Sequence, residues 1–284
     1  MRSTPITTGF ALLLCWLSLP ALAQWPDWPT PNVPRLADGS PDYDAPAPRT
    51  ADGRPDLSGL WELWGRSRPG RAEAQRLEAE GLQREAESGA PPLASFFDLG
   101  ANIEGGLPYL DWARELRDQR VAAGMKDNPD ANCLPIGHMQ LHLHPQPRKI
   151  VQLPHLIVMM WEANGGLRQV FMDGRPLPDN DPQPWYYGYS IGHWEGDALI
   201  VETTGFRDDV WLDVNGSPLT SNGKITERFT RVSYGKMQVD VTIEDPSAYS
   251  EAFTVRVEHG LMLDTELIEF VCNENEQSTQ YFDP

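Results

Sequence analysis

Three groups of residues have the types and spacing to do chemistry. The first is a histidine cluster, His138, His142 and His144, with His155 further on. On a helix His138 and His142 share a face, a spacing used in zinc sites. On a strand His142 and His144 would do so instead. With Met139 beside them, copper is the other metal these ligands suit. No Asp or Glu lies between His138 and His155, and Pro145 and Pro147 interrupt regular structure. A polar loop is therefore the alternative to a zinc or copper site.

The second group is acidic and basic. In Ile225-Thr226-Glu227-Arg228-Phe229, alternation puts Glu227 on the face of Ile225 and Phe229. If that face is the core, Glu227 is a buried carboxylate that needs a partner or a raised pKa, as is common at functional sites. Arg168, Arg175, Arg228 and Arg231 are its candidate partners, and Glu202 in Leu199-Ile200-Val201-Glu202-Thr203 poses the same question. These groups could do acid–base work, with Glu227 or Glu202 moving the proton and Arg228 or Arg175 holding an anion. A structural ion pair is the competing explanation.

The third group is aromatic. Trp185, Tyr187 and Tyr189 cluster, with Trp161, Trp194 beside His193, and Trp211 elsewhere. Together they could wall a pocket for an apolar or aromatic molecule, or stack on a sugar ring. Core packing would also account for them. Trp194-Glu195-Gly196-Asp197 and Asp173-Gly174-Arg175-Pro176 read as turns first.

The elements that must position these groups are mostly strands. From Lys149 onward the pattern is period two and β-branched. Strands are expected at 149–153, 156–162, 167–173, 187–193, 198–204, 224–233, 236–244, 252–258 and 262–271, with Gly-, Asn- and Asp-rich turns between them. Short strands and tight turns predict a mainly β fold: an antiparallel meander forming a lipocalin-like barrel, since closure removes edges. A sandwich is the alternative. Helices are expected at 71–88 and 110–123, before the strands. Residues 24–56 are Pro-rich and read as an extended arm laid over the domain. The expected layout is a leader at 1–23, the arm at 24–56, and one β-rich domain at 57–284 with a helical insertion at 71–123. No repeat of fixed period is expected.

The leader has Arg2, an apolar run from Gly9 to Leu19, and Ala21-Leu22-Ala23 before Gln24. This is the pattern of a signal peptide cleaved near Ala23, which predicts a periplasmic or secreted protein. No other stretch is long and apolar enough to span a bilayer. Two of the three cysteines, Cys133 and Cys272, follow the leader. In an oxidising compartment an even number predicts one disulfide, with two separate buried thiols as the alternative. The formal net charge of −18 argues against nucleic acid as a partner.

Several short segments follow one another in a distinctive order. They begin with Asp52-Gly53-Arg54-Pro55-Asp56-Leu57-Ser58-Gly59-Leu60-Trp61 and Cys133-Leu134-Pro135-Ile136-Gly137. They continue with Asp173-Gly174-Arg175, Ser190-Ile191-Gly192-His193-Trp194-Glu195-Gly196-Asp197, Glu227-Arg228, Asp245-Pro246 and Cys272-Asn273-Glu274-Asn275. In these segments the chain resembles a large, mostly uncharacterised family of secreted proteins from acidobacteria and proteobacteria. The resemblance implies export and a single β-rich domain, and carries no reaction with it. The chain departs from the family pattern at His138-Met139-Gln140, at His193 and at Leu219-Thr220.

No Gly-x-Ser-x-Gly elbow, P-loop, dinucleotide fingerprint, His-Glu-x-x-His or Cys-x-x-Cys-His is present. The expected function is binding of a small, partly apolar or aromatic molecule by the barrel, with no cofactor. The alternatives are a cofactorless isomerase, lyase or hydrolase on the same barrel, and a histidine-based metal protein.

Overall fold

The structure is a computed structural model describing residues 29–63, 89–178 and 183–274. The leader, the first residues of the arm and the helix expected at 71–88 lie outside the described residues. Strand β1 is Gly59–Leu63. Helix α1, Asp111–Ala122, and the short helix α2, His138–Leu143, come next. The remaining strands are β2 Arg148–Gln152, β3 Leu156–Trp161, β4 Leu167–Phe171, β5 Tyr189–Glu195, β6 Ala198–Thr204, β7 Val210–Trp211, β8 Pro218–Leu219, β9 Lys224–Arg231, β10 Lys236–Glu244 and β11 Phe253–Met262.

Nine of these strands close a barrel in the order β1-β11-β10-β9-β6-β5-β4-β3-β2, with β7 and β8 forming a separate small sheet. Period-two sequences build its wall. In β9 Ile225, Glu227, Phe229 and Arg231 are buried, and in β10 Met237, Val239, Val241 and Ile243 are. Burying each such apolar side chain contributes about 1.5–3 kcal/mol.

Three expectations about the wall are corrected. The barrel is mixed: β4 and β5 run parallel. Strand β5 begins at Tyr189 because Gly188, at φ 68°, turns the chain just before it. A Cβ there would sit 2.5 Å from Thr203 Cγ2. The strands expected at 252–258 and 262–271 are one strand, β11, followed by irregular chain. Gly260, read as part of a turn, lies inside the ladder, paired with Lys236 on one side and Glu62 on the other.

Helix α2 is inserted into the barrel, and all six of its residues are buried. None of its sides faces solvent: His138 and His142 turn toward Glu227, and Gln140 donates to the Trp211 carbonyl. Its N-terminus passes so close to Trp211 that a Cβ on Gly137 would lie 2.8 Å from the Trp211 carbonyl oxygen.

The arm is ordered against the barrel and contains a repeat that the sequence reading missed. Pro34-Arg35-Leu36-Ala37-Asp38-Gly39-Ser40-Pro41-Asp42 recurs, with two changes, as Pro48-Arg49-Thr50-Ala51-Asp52-Gly53-Arg54-Pro55-Asp56. Both copies fold alike. Arg35 bridges to Pro41 as Arg49 does to Pro55, and each arginine donates Nη1–H to its own loop glycine carbonyl at 2.8 Å. The second copy sits on the β5–β6 turn through Arg49–Asp197 (2.6 Å) and Arg54 to the Gly196 carbonyl (3.1 Å). Tyr43, at the end of the first, accepts from Gly235 N–H in the β9–β10 turn.

Cys133 and Cys272 form a disulfide, with Cα atoms 5.5 Å apart. Among the described residues no helix is long and apolar enough to cross a membrane.

Candidate functional site

Two polar features meet in the wall between β4 and β5. The inner one is a buried charge network. Glu227 points into the barrel from β9 and is fully buried. Arg168, which shares the inward face of β4 with Val170, grips both its oxygens, with Nη1 at 2.9 Å from Oε1 and Nη2 on Oε2. Arg168 also donates to Ser190 Oγ (2.9 Å, β5) and Thr203 Oγ1 (2.7 Å, β6). Those two hydroxyls face each other because Ser190 and Thr203 are in register. From α2, His142 Nε2 meets Glu227 Oε1 at 2.6 Å, and His138 Nε2 lies 3.9 Å from Oε2.

Burial alone would push the Glu227 pKa up. The Arg168 charge and the hydrogen bonds from His142 and Arg168 overcome it and hold the carboxyl well below its ordinary value. Burial pushes His142 down, and the bond to Glu227 offsets this only in part. His138 is lowered further by burial and the Arg168 charge. Its two ring nitrogens, and Nδ1 of His142, have no well-formed hydrogen bond. His259 stacks on His142 with centroids 5.7 Å apart and accepts from Arg148, whose other Nη1 bond goes to the His142 carbonyl. Burial brings the Arg148 pKa down to about 9.

The outer feature is a cavity of about 390 Å³, within the range of small-molecule sites. It exists because β4 and β5 pair only at Val170–Ser190 and Phe171–Ile191 and then splay apart. Phe171, Trp185, Tyr187 and Tyr189 wall it, and Arg168 and Ser190 reach it from within. The rings brace one another: Phe171 stacks on Tyr189 (5.2 Å) and Trp185 tilts against it (5.6 Å). Arg175 lies over Phe171 at 3.9 Å, bonds the Tyr189 hydroxyl and is ion-paired to Asp173. On the opposite flank Arg207 lies over Tyr186 and pairs with Asp209. Both rim guanidiniums are thus neutralised.

Of the residues singled out by sequence, the structure gathers Trp185, Tyr187 and Tyr189 at this pocket and Glu227, His138 and His142 beneath it. The others lie elsewhere. Glu202 is on the outer surface, paired with Lys224 at 2.5 Å, and Arg228 pairs outside with Glu195 at 3.0 Å. Glu202 and Glu227 therefore cannot act on one substrate, because adjacent registers place them on opposite faces. Trp161 is core, edge-on to His142. His193 is exposed beside Glu195, and Trp194 lies under Arg54. Trp211 is buried beneath Arg120. His144 turns away to Asp130 at 3.5 Å and the edge of Phe96. The three-histidine set is thus split, and among the described residues no group of three or more His, Cys, Asp and Glu is arranged to hold a metal ion.

Sequence reasoning missed Ser190, Thr203, Phe171, Arg148 and His259. Strand parity could have found Ser190 and Thr203, since each sits at an inward position. Comparison with protein families, curated proteins and solved structures finds no match.

Proposed function

We propose that this chain is an exported β-barrel protein that binds a small, partly apolar or aromatic molecule. The site is the cleft between β4 and β5, not the barrel interior, where α2 is inserted. The observation that carries this reading is the aromatic-walled cavity whose floor is fixed by the Arg168–Glu227 network. Aromatic rings supply contact area at low entropic cost, and a floor locked by charged hydrogen bonds is already shaped before a ligand arrives. The disulfide and the resemblance to secreted proteins support export.

Glu227 suits a structural role better than a proton-transfer role. Its carboxylate is held ionised, and Arg168 and His142 occupy both oxygens.

Trp185 is 39% exposed in the pocket, so the difference in emission between the wild type and Trp185→Ala reports occupancy. Titrating the protein with planar aromatic probes such as 8-anilinonaphthalene-1-sulfonate should quench or shift that emission saturably. Trp185→Ala and Tyr189→Ala should each weaken binding tenfold or more in calorimetry. Unchanged affinity in both variants would sink the reading. N-terminal sequencing of exported protein should begin at Gln24, and an intact Met1 would refute cleavage.

A further inference from the structure

The β4–β5 pocket does not end at its own walls. Tyr186 lines both it and a second cavity of about 490 Å³, which runs along α1 past Gln119 and Arg120. Arg207 and Pro184 line both it and a third, of about 690 Å³, bordered by Asp208, Ser221 and Asn222. Asp209 lines the second and the third. Three cavities therefore meet around one group: the Tyr186 ring, the Arg207 guanidinium 4.6 Å above it, and the Asp209 carboxylate paired to that guanidinium at 2.8 Å.

The chemistry changes along this cleft. The central lobe is aromatic, the second sets Gln119, Arg120 and Asp209 among Leu116, Leu134 and Trp211, and the third is mainly polar, with Asp208, Ser221 and Asn222. Their polar groups donate and accept in pairs at fixed spacing, as vicinal hydroxyls require. A single small aromatic molecule would fill only the centre. A peptide would want apolar side-chain pockets on both flanks of the centre, and the third lobe is mainly polar. A polyanion is disfavoured by the net charge of −18 and by the pairing of Arg175 and Arg207 with aspartates. A chain of sugar units matches all three lobes, because each ring offers an apolar C–H face to an aromatic ring and hydroxyls to its rim.

We infer that the cleft binds a neutral oligosaccharide, with one unit stacked in the central lobe on Trp185 and its neighbours extending into the outer lobes past Asn222 and Gln119. This rests on the pocket reading above and names its ligand class.

The test is a glycan array of α- and β-linked oligosaccharides of one to six units, followed by calorimetry on the hits. An 8-anilinonaphthalene-1-sulfonate titration runs in parallel. Affinity should rise at least tenfold between one and three units. Trp185→Ala should weaken every length, whereas Asn222→Ala and Gln119→Ala should weaken only the longer ones. All three side chains line solvent-open cavities, and circular dichroism checks that each variant is folded. The inference is overturned if a monosaccharide binds as tightly as a hexasaccharide, or if no glycan binds while the dye still binds through Trp185. In that last case the pocket reading stands. If neither dye nor glycan binds, both fall.

Discussion

At the scale of single residues the decisive contact is Arg168 with Glu227. Both side chains are out of water and satisfy one another. Pairs of this kind add little over an apolar pair of the same shape, but breaking one is costly, about 3–5 kcal/mol, because a buried charge is stranded. Glu227→Gln should therefore lower stability by that amount in urea unfolding, whereas the double change Arg168→Met with Glu227→Leu should recover most of the loss. If the double variant is no better than the single one, the pair has a role beyond mutual compensation. Much of this was legible in the sequence. Alternation in β9 placed Glu227 inside, and Arg168 was among four candidate partners. Its choice over Arg228 and Arg231 was not legible, since pairing between distant strands decides which arginine faces which acid. For His142 the sequence offers a metal site or a polar loop, because spacing reports a shared face and not what lies opposite it.

At the scale of elements α2 and β11 carry the pH response. Histidine in an unfolded chain titrates near 6.5. Burial holds His138, His142 and His259 below that in the folded chain. Below about pH 6.5 the unfolded chain thus binds more protons than the folded one, and stability falls by up to about 1.4 kcal/mol per pH unit for each histidine. Glu227 acts in the same direction lower down. Its folded pKa is depressed, so its contribution is present above the unfolded value of about 4.3 and lost as pH falls below it. Denaturant midpoints should be flat from pH 8 to 7 and drop steadily from pH 6 to 4. A midpoint that is unchanged at pH 5 would contradict this account of the interior. Most strands were legible from period two alone. The parallel β4–β5 step was not, because alternation is the same in either direction. Nor was α2 settled by the sequence: in six residues polar and apolar side chains alternate, and His138–His142 fits a helix as His142–His144 fits a strand.

At the scale of the whole molecule, long-range ties hold the barrel's accessories. The disulfide links positions 139 apart, bringing the segment before α2 to the chain that follows β11. Loop-entropy reasoning assigns such a link about 4–5 kcal/mol. Replacing both cysteines with serine should lower Tm by roughly 10 °C or more, given the 2–4 °C per kcal/mol typical of this size. A shift under 2 °C would mean that the barrel holds both segments without it. The disulfide was readable from the cysteine count together with the leader pattern. The duplicated arm loop was readable too, and was overlooked because its period runs through Pro, Asp and Gly instead of apolar residues.

The placement of α2 also bears on the order in which the molecule can be assembled. His138–Leu143 precedes every barrel strand except β1, and β1 completes the wall by pairing Trp61 with Arg148 and with Leu261. The helix is thus available before most of the wall, and the sheet can wrap a mandrel instead of admitting a plug after it has closed. The β1–β11 seam joins residues about two hundred positions apart, so its closure carries the largest loop entropy of any pairing in the wall.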